Sequence, residues 1–89
     1  DYIMSVCWIT SSIIVCGVSD GNDWETSSLI FFNTNDLKSD HAIQTVTITI
    51  AGDARIMDMR CMNDWLFVLL AGEQMLIYHI ENCYFFHFS

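Results

Sequence analysis

Four cysteines and three histidines are the residues of this chain best suited to metal chemistry. A zinc site takes thiolate and imidazole ligands as closely spaced pairs, four donors in all. His79 and Cys83 stand four residues apart, but no second pair has ligand spacing and no C-x-x-C occurs. A strand-end His79 and a buried Cys83 therefore account for this pair better than a metal does. The stretch Asp20-Gly21-Asn22-Asp23-Trp24-Glu25 gathers three carboxylates and hints at calcium. It lacks the ligand spacing and the distal Glu of an EF-hand loop, so a solvated turn is the simpler reading. Within it, a tryptophan among acids is either a contact anchor for a partner or a side chain folded back over a sheet edge. Asp20, Asn22, Asp23, Trp24 and Glu25 are the candidate binding residues. For catalysis the sequence offers no Ser-x-x-Lys, no G-x-S-x-G and no phosphate-binding glycine loop. Asp20 and Asp53 are far apart and lie in turns, where carboxylates accept backbone N–H groups. No catalytic residue, metal ligand or cofactor is expected.

The elements that position these residues must come from 89 residues, enough for one small domain. The chain is 53% hydrophobic and only 16% charged, so it is either densely packed or made to pack against something further. It begins with Asp1, and we expect a piece of a larger protein. The net charge of -8 argues against a nucleic-acid partner, which would need Lys and Arg for its phosphates. It argues equally against an anionic membrane surface. No apolar run reaches the length of a membrane span. Cys7, Cys16, Cys61 and Cys83 are evenly scattered, which fits buried, reduced thiols in an intracellular, cytoplasmic protein. If Ser11-Ser12 is a two-residue turn, Cys7 falls opposite Cys16 and a cross-strand disulfide is geometrically conceivable. A reducing compartment would keep both thiols free.

Strand signals fill the chain. Residues 2–9 alternate, 13–18 are almost wholly apolar, and Gly17 among them suggests a close backbone approach. Residues 19–28 read as an extended loop, 28–33 as a third strand and 34–40 as a polar connection. Residues 45–50 put Val46, Ile48 and Ile50 on one face and Thr45, Thr47 and Thr49 on the other, as a half-exposed edge strand does. Strands follow over 56–62, 65–71 and 75–80, separated by Asn63-Asp64 and Gly72-Glu73-Gln74, and a further strand over 84–88 ends the chain. Trp8, Trp65, Phe31 and Phe32 are expected in the core. The β-branched and aromatic density makes the chain all-β.

The pattern occurs twice. Ile3-Met4 falls on Ile56-Met57 and Val15 on Val68, and Leu29 to Asn33 falls on Met75 to His79, with a longer loop in the first copy. Residues 1–53 then form one antiparallel unit of about four strands, and 54–89 a second, more compact one with a shortened last strand. This arrangement resembles the blades of WD40-type β-propellers. Val6-x-Trp8, Asp20-Gly21 and Phe32-Asn33 carry the resemblance in the first unit. Met59-x-Cys61, Gly72-Glu73 and Tyr78-His79 carry it in the second. Gly52-Asp53 stands where the family often has Gly-His, and neither a Trp-Asp nor a Gly-His pair is present. The resemblance implies two blades of a larger propeller, a repeat protein acting as a non-catalytic protein–protein interaction scaffold. Its partners would be proteins, together with remaining blades of the same parent chain or further copies. The alternative is an independent small β-domain that self-associates through apolar faces. An enzyme fragment whose site spans missing blades is the third reading. Complete propellers hold about four to eight blades, because a blade cannot bury its faces alone.

Overall fold

A computed structural model of the chain describes residues 2–35 and 42–88. The connection expected at 34–40 falls beyond Asn35 outside the described residues. The chain is all-β. Its strands are β1 (Tyr2–Trp8), β2 (Ile13–Ser19), β3 (Thr26–Asn33), β4 (Gln44–Thr49), β5 (Ile56–Met62), β6 (Trp65–Leu70), β7 (Gln74–His79) and β8 (Tyr84–Phe88). They form two four-stranded antiparallel meanders, β1-β2-β3-β4 and β5-β6-β7-β8. Strict alternation predicts β4 as an edge strand, and there it lies, its three threonines exposed and Ile48 buried. Turn chemistry explains the second meander. Asn63, at φ 54°, takes the left-handed position that Asn tolerates, and Met62 faces Trp65 across Asn63-Asp64. β8 pairs with β7 along its length, from Tyr84 opposite His79 to Phe88 opposite Met75.

Four expectations need correction. β3 begins at Thr26, because Thr26 and Ser27 pair with Thr49 and Ile48, so the extended loop shrinks to Asp20–Glu25. The first hairpin is closed by Ile9 N–H donating to Ile13 O, which sets Cys16 opposite Val6 and Cys7 opposite Val15. That one-residue slip puts the two cysteines on opposite faces of the sheet, so the conceivable Cys7–Cys16 bridge has no register. All four cysteines are free, three of them half-buried and Cys83 exposed, not uniformly buried. Gly17, finally, admits side chains and not a neighbouring backbone. A Cβ there would stand 3.0 Å from Ile56 Cδ1, 3.1 Å from Ile56 Cγ2 and 3.3 Å from Met59 Cε.

Gly17 marks the seam between the sheets. The first turns Val15, Gly17, Leu29 and Phe31 toward Met59, Leu66, Val68, Leu76 and Tyr78 of the second, and these apolar residues form one buried cluster. β5 runs beside β1 and β2. A buried polar chain crosses the seam at the start of β5. Ser27 Oγ donates to Ala54 O at 2.6 Å, so Ser19 Oγ, 3.0 Å away, must donate to Ser27. Ser19 in turn accepts the N–H of Ile56 at 3.4 Å. Both serines are buried, and the relay fixes the start of the second sheet on the end of the first.

The two meanders are equivalent in hydrogen-bond phase. Thr34 N–H donates to Ser12 O at 2.7 Å, and Ile80 N–H donates to Asp64 O at 2.8 Å. Each bond lies just past the same pair of strand ends, Ile13 opposite Asn33 and Trp65 opposite His79. In a strand of L-residues, the side to which N–H and C=O point fixes the face on which the side chain stands. Cys16 therefore corresponds to Val68 and Ile30 to Leu76. Bulges between Ile3 and Ser5 and between Ile56 and Asp58 extend the match to Ile3 with Ile56 and Val6 with Met59. The second strands are shifted from the sequence alignment: Val15 corresponds to Phe67, not Val68, because Thr10-Ser11-Ser12 is longer than Asn63-Asp64. The consequence is geometric. The counterparts of inward Val15, Gly17, Leu29 and Phe31 are Phe67, Leu69, Met75 and Ile77, on the outer face of the second sheet. The counterparts of inward Met59, Leu66, Val68 and Tyr78 are Val6, Ile14, Cys16 and Phe32, on the outer face of the first. The sheets stack front to back, and both outer faces are mainly apolar, with the paired Asp58 and Arg60 beside Leu69 and Phe67 on the second and the β4 threonines at the edge of the first. Trp8, Trp65 and Phe32, expected in the core, stand on those outer faces, Trp8 exposed and the other two half-buried; of the four aromatics only Phe31 is buried.

Candidate functional site

The loop between β2 and β3 is held by its own side chains. Asp20 Oδ1 accepts the N–H of Asn22 at 2.8 Å, and Asp23 Oδ1 accepts that of Glu25 at 3.0 Å. Asp23 Oδ2 accepts from the Thr26 hydroxyl at 2.9 Å. Glu25 Oε2 reaches across to the N–H of Gly52, whose φ of 95° suits glycine. The carboxylates that hinted at calcium are thus spent on backbone and hydroxyl donors. Among the described residues no group of three or more His, Cys, Asp or Glu is placed to hold a metal ion. His79 Nδ1 accepts from Asn82 N–H at 3.1 Å, and its ring stacks on Tyr84.

Trp24 is tied to its own loop and to the linker between the sheets. Its indole N–H donates to Gly21 O at 3.3 Å, its carbonyl accepts Ala54 N–H at 2.7 Å, and the Arg55 guanidinium lies 3.9 Å from its ring centroid. It therefore folds back against the inter-sheet linker, yet stays 50% exposed. Arg55 is itself clamped: Nε reaches Asp53 Oδ1 at 2.9 Å and Nη2 reaches Asp53 Oδ2 at 2.6 Å. These side-chain bonds, helped by the Arg55 backbone N–H, hold the Asp53 carboxyl below its ordinary range. Loop, clamp and the start of β1 enclose a cleft of about 400 Å³, walled by Tyr2, Ile3, Met4, Asp20, Trp24 and Arg55, with Ser19 and Gly21 at its base. A Cβ at Gly21 would come within 2.5 Å of Tyr2 Cε2, so a larger residue there would displace the exposed Tyr2 ring from the cleft wall.

Of the five candidate residues, Asp20 and Trp24 line the cleft. Asn22, Asp23 and Glu25 shape the loop from outside its walls. Tyr2, Ile3, Met4 and Arg55 escaped sequence reasoning. Arg55 left one signal: it is one of only three basic residues and follows Asp53 by two positions. The apolar wall left none, because β1 reads as an ordinary strand.

A second polar cluster lies at the other end of the molecule. Gln44 Nε2 donates to Tyr78 Oη at 3.0 Å and to Cys83 Sγ at 3.4 Å. Burial, and then the bond to Cys83, push the Tyr78 hydroxyl up to about 12. Cys83 moves the opposite way: hydrogen bonds from Tyr78 and Gln44 lower its pKa below the ordinary thiol value. Cys16 and Cys61 are raised, chiefly by burial. No helix long and apolar enough to cross a membrane is present among the described residues. Compared with known protein families, curated proteins and solved structures, the chain matches none.

Proposed function

We propose that the chain is a non-catalytic protein–protein interaction module, two blades of a WD40-like propeller, whose contact point for a protein partner is the Trp24 cleft. The cleft carries the reading. It presents an aromatic ring, a second aromatic at Tyr2 and the side chains of Ile3 and Met4 around a guanidinium already neutralised by Asp53. Such a site suits an apolar or aromatic side chain from a partner and offers no free acid–base pair for chemistry. Support for the blade comparison comes from the two meanders in matching register, stacked front to back. The four free thiols fit the reducing, intracellular and cytoplasmic setting that goes with this reading. The test is selection of a displayed peptide library on the immobilised chain. Enriched peptides should carry an apolar anchor and lose binding to Trp24→Ala while keeping it to Thr47→Ala on the far edge strand. Enrichment of nothing, or of peptides indifferent to Trp24→Ala, would sink the proposal.

A further inference from the structure

The chain buries one front and one back, and leaves one of each open. The open back, on the first sheet, carries Val6, Ile14, Cys16 and Phe32. Their buried counterparts are Met59, Leu66, Val68 and Tyr78, so at each of these positions the class of side chain is kept. The open front, on the second sheet, carries Phe67, Leu69 and Ile77 where the buried front carries Val15, Gly17 and Phe31. Volumes compensate across the two surfaces. Inside the chain a glycine meets a methionine, Gly17 against Met59. Between the open faces the corresponding residues are Leu69 and Val6, larger on one side and smaller on the other. On these faces Ile14, Cys16, Phe32, Phe67 and Ile77 are half-buried, while Val6 is 51% exposed, Leu69 45% and Phe86, opposite Ile77, 50%, high for apolar side chains.

From this correspondence we infer that a second copy of the chain covers each open face: the front of one copy's second sheet receives the back of the next copy's first sheet, continuing the stacking within the chain. The occupant follows from the surfaces. A face whose counterpart is already buried against the same kind of surface is complementary to a further copy of that surface. The contact is head to tail, so it propagates and does not stop at a two-fold dimer. Closure into a ring of four to eight sheets (two to four copies) rests on the blade reading; the contact itself does not.

The test uses the 89-residue chain and measures molar mass by light scattering across a concentration series. The wild-type chain is expected to run above the 10.2 kDa of one copy. Val6→Glu blocks the back and leaves the front; Leu69→Glu blocks the front and leaves the back. Each alone should fall to one copy, and an equimolar mixture should recover a pair of twice that mass, one Val6→Glu front on one Leu69→Glu back. Phe86→Arg repeats the front block at a site removed from Leu69, and unchanged far-UV dichroism establishes that each variant keeps its sheets. A monomeric wild type overturns the inference. So does a mixture that stays monomeric, or a single variant that keeps the wild-type mass. A discrete wild-type mass supports ring closure as well. A broad series of masses that both variants abolish and the mixture restores to pairs upholds the head-to-tail contact and counts against the propeller.

Discussion

Replacing Ser27 by alanine tests how the two sheets are joined. Ser27 Oγ is the donor to the fully buried Ala54 carbonyl and the acceptor for Ser19. Its loss orphans both groups at once. A buried unsatisfied polar group costs about 1–3 kcal/mol, so the pair should cost about 2–6 kcal/mol, a large part of the stability of a small domain. Ser19→Ala is the internal comparison. It leaves the Ser27 to Ala54 bond intact and orphans only the N–H of Ile56, whose bond to Ser19 is long at 3.4 Å. About 1 kcal/mol is expected. Urea unfolding followed by tryptophan fluorescence gives both values, provided protein concentration is held fixed, since association would shift the midpoint. The midpoints should rank wild type, then Ser19→Ala, then Ser27→Ala, with one common slope. A Ser19→Ala loss equal to or larger than that of Ser27→Ala would refute the donor order, and with it the relay.

Three further outcomes follow from the same geometry. Asp53 has a lowered carboxyl in the folded chain, so its contribution is present above the ordinary value of 3.8 and disappears as pH falls through the lower folded value. Urea midpoints of wild type and Asp53→Asn should therefore differ at neutral pH and converge in strong acid; a constant gap contradicts the clamp. Cys83 should be the first thiol labelled by iodoacetamide near neutral pH, ahead of Cys16 and Cys61, because thiolate is the reacting form. Tyr78→Phe removes one donor to its sulfur and should slow that labelling, as peptide mapping by mass spectrometry would record. Gly17→Val should destabilise by about 1–3 kcal/mol, since even a Cβ already crowds Ile56 and Met59; a neutral result would contradict a close contact between Gly17 and Ile56.

Strand positions are legible in the sequence because they rest on local signals. Alternation through Thr45–Ile50, apolar density through Trp65–Leu70 and Asn63-Asp64 as a turn each predict their element. Residues joined through space leave weaker marks. The Cys7 register depends on whether Thr10-Ser11-Ser12 closes as an even or odd loop, which composition does not encode, and one residue moves every side chain to the other face. Thr26 and Ser27 read as loop because they are small and polar; they become strand because Thr49 and Ile48 offer a ladder. Trp8 and Phe32 read as core because they are large and apolar, which says how much they gain from burial but not whether this chain supplies the cover. Within the candidate site, the Asp20–Glu25 loop is visible as a turn. The Asp53–Arg55 pair is local, but the placing of Arg55 over Trp24 and the Tyr2 wall arise only when the linker and the start of β1 meet that loop.

Gly17 has a counterpart in Leu69, and the difference sets a rhythm for any assembly built on this chain. At the internal seam a missing side chain lets Ile56 and Met59 settle close to the first sheet. At the contact between copies a leucine occupies that place against a smaller valine. The two junctions would share a pattern but not a tilt or a spacing. Sheets around a closed ring would alternate between the two junctions, so their number must be even and the true rotational order is half the apparent one. A substitution at position 17 would then alter a local overlap and, through the tilt it imposes, the count of copies that closes the circle.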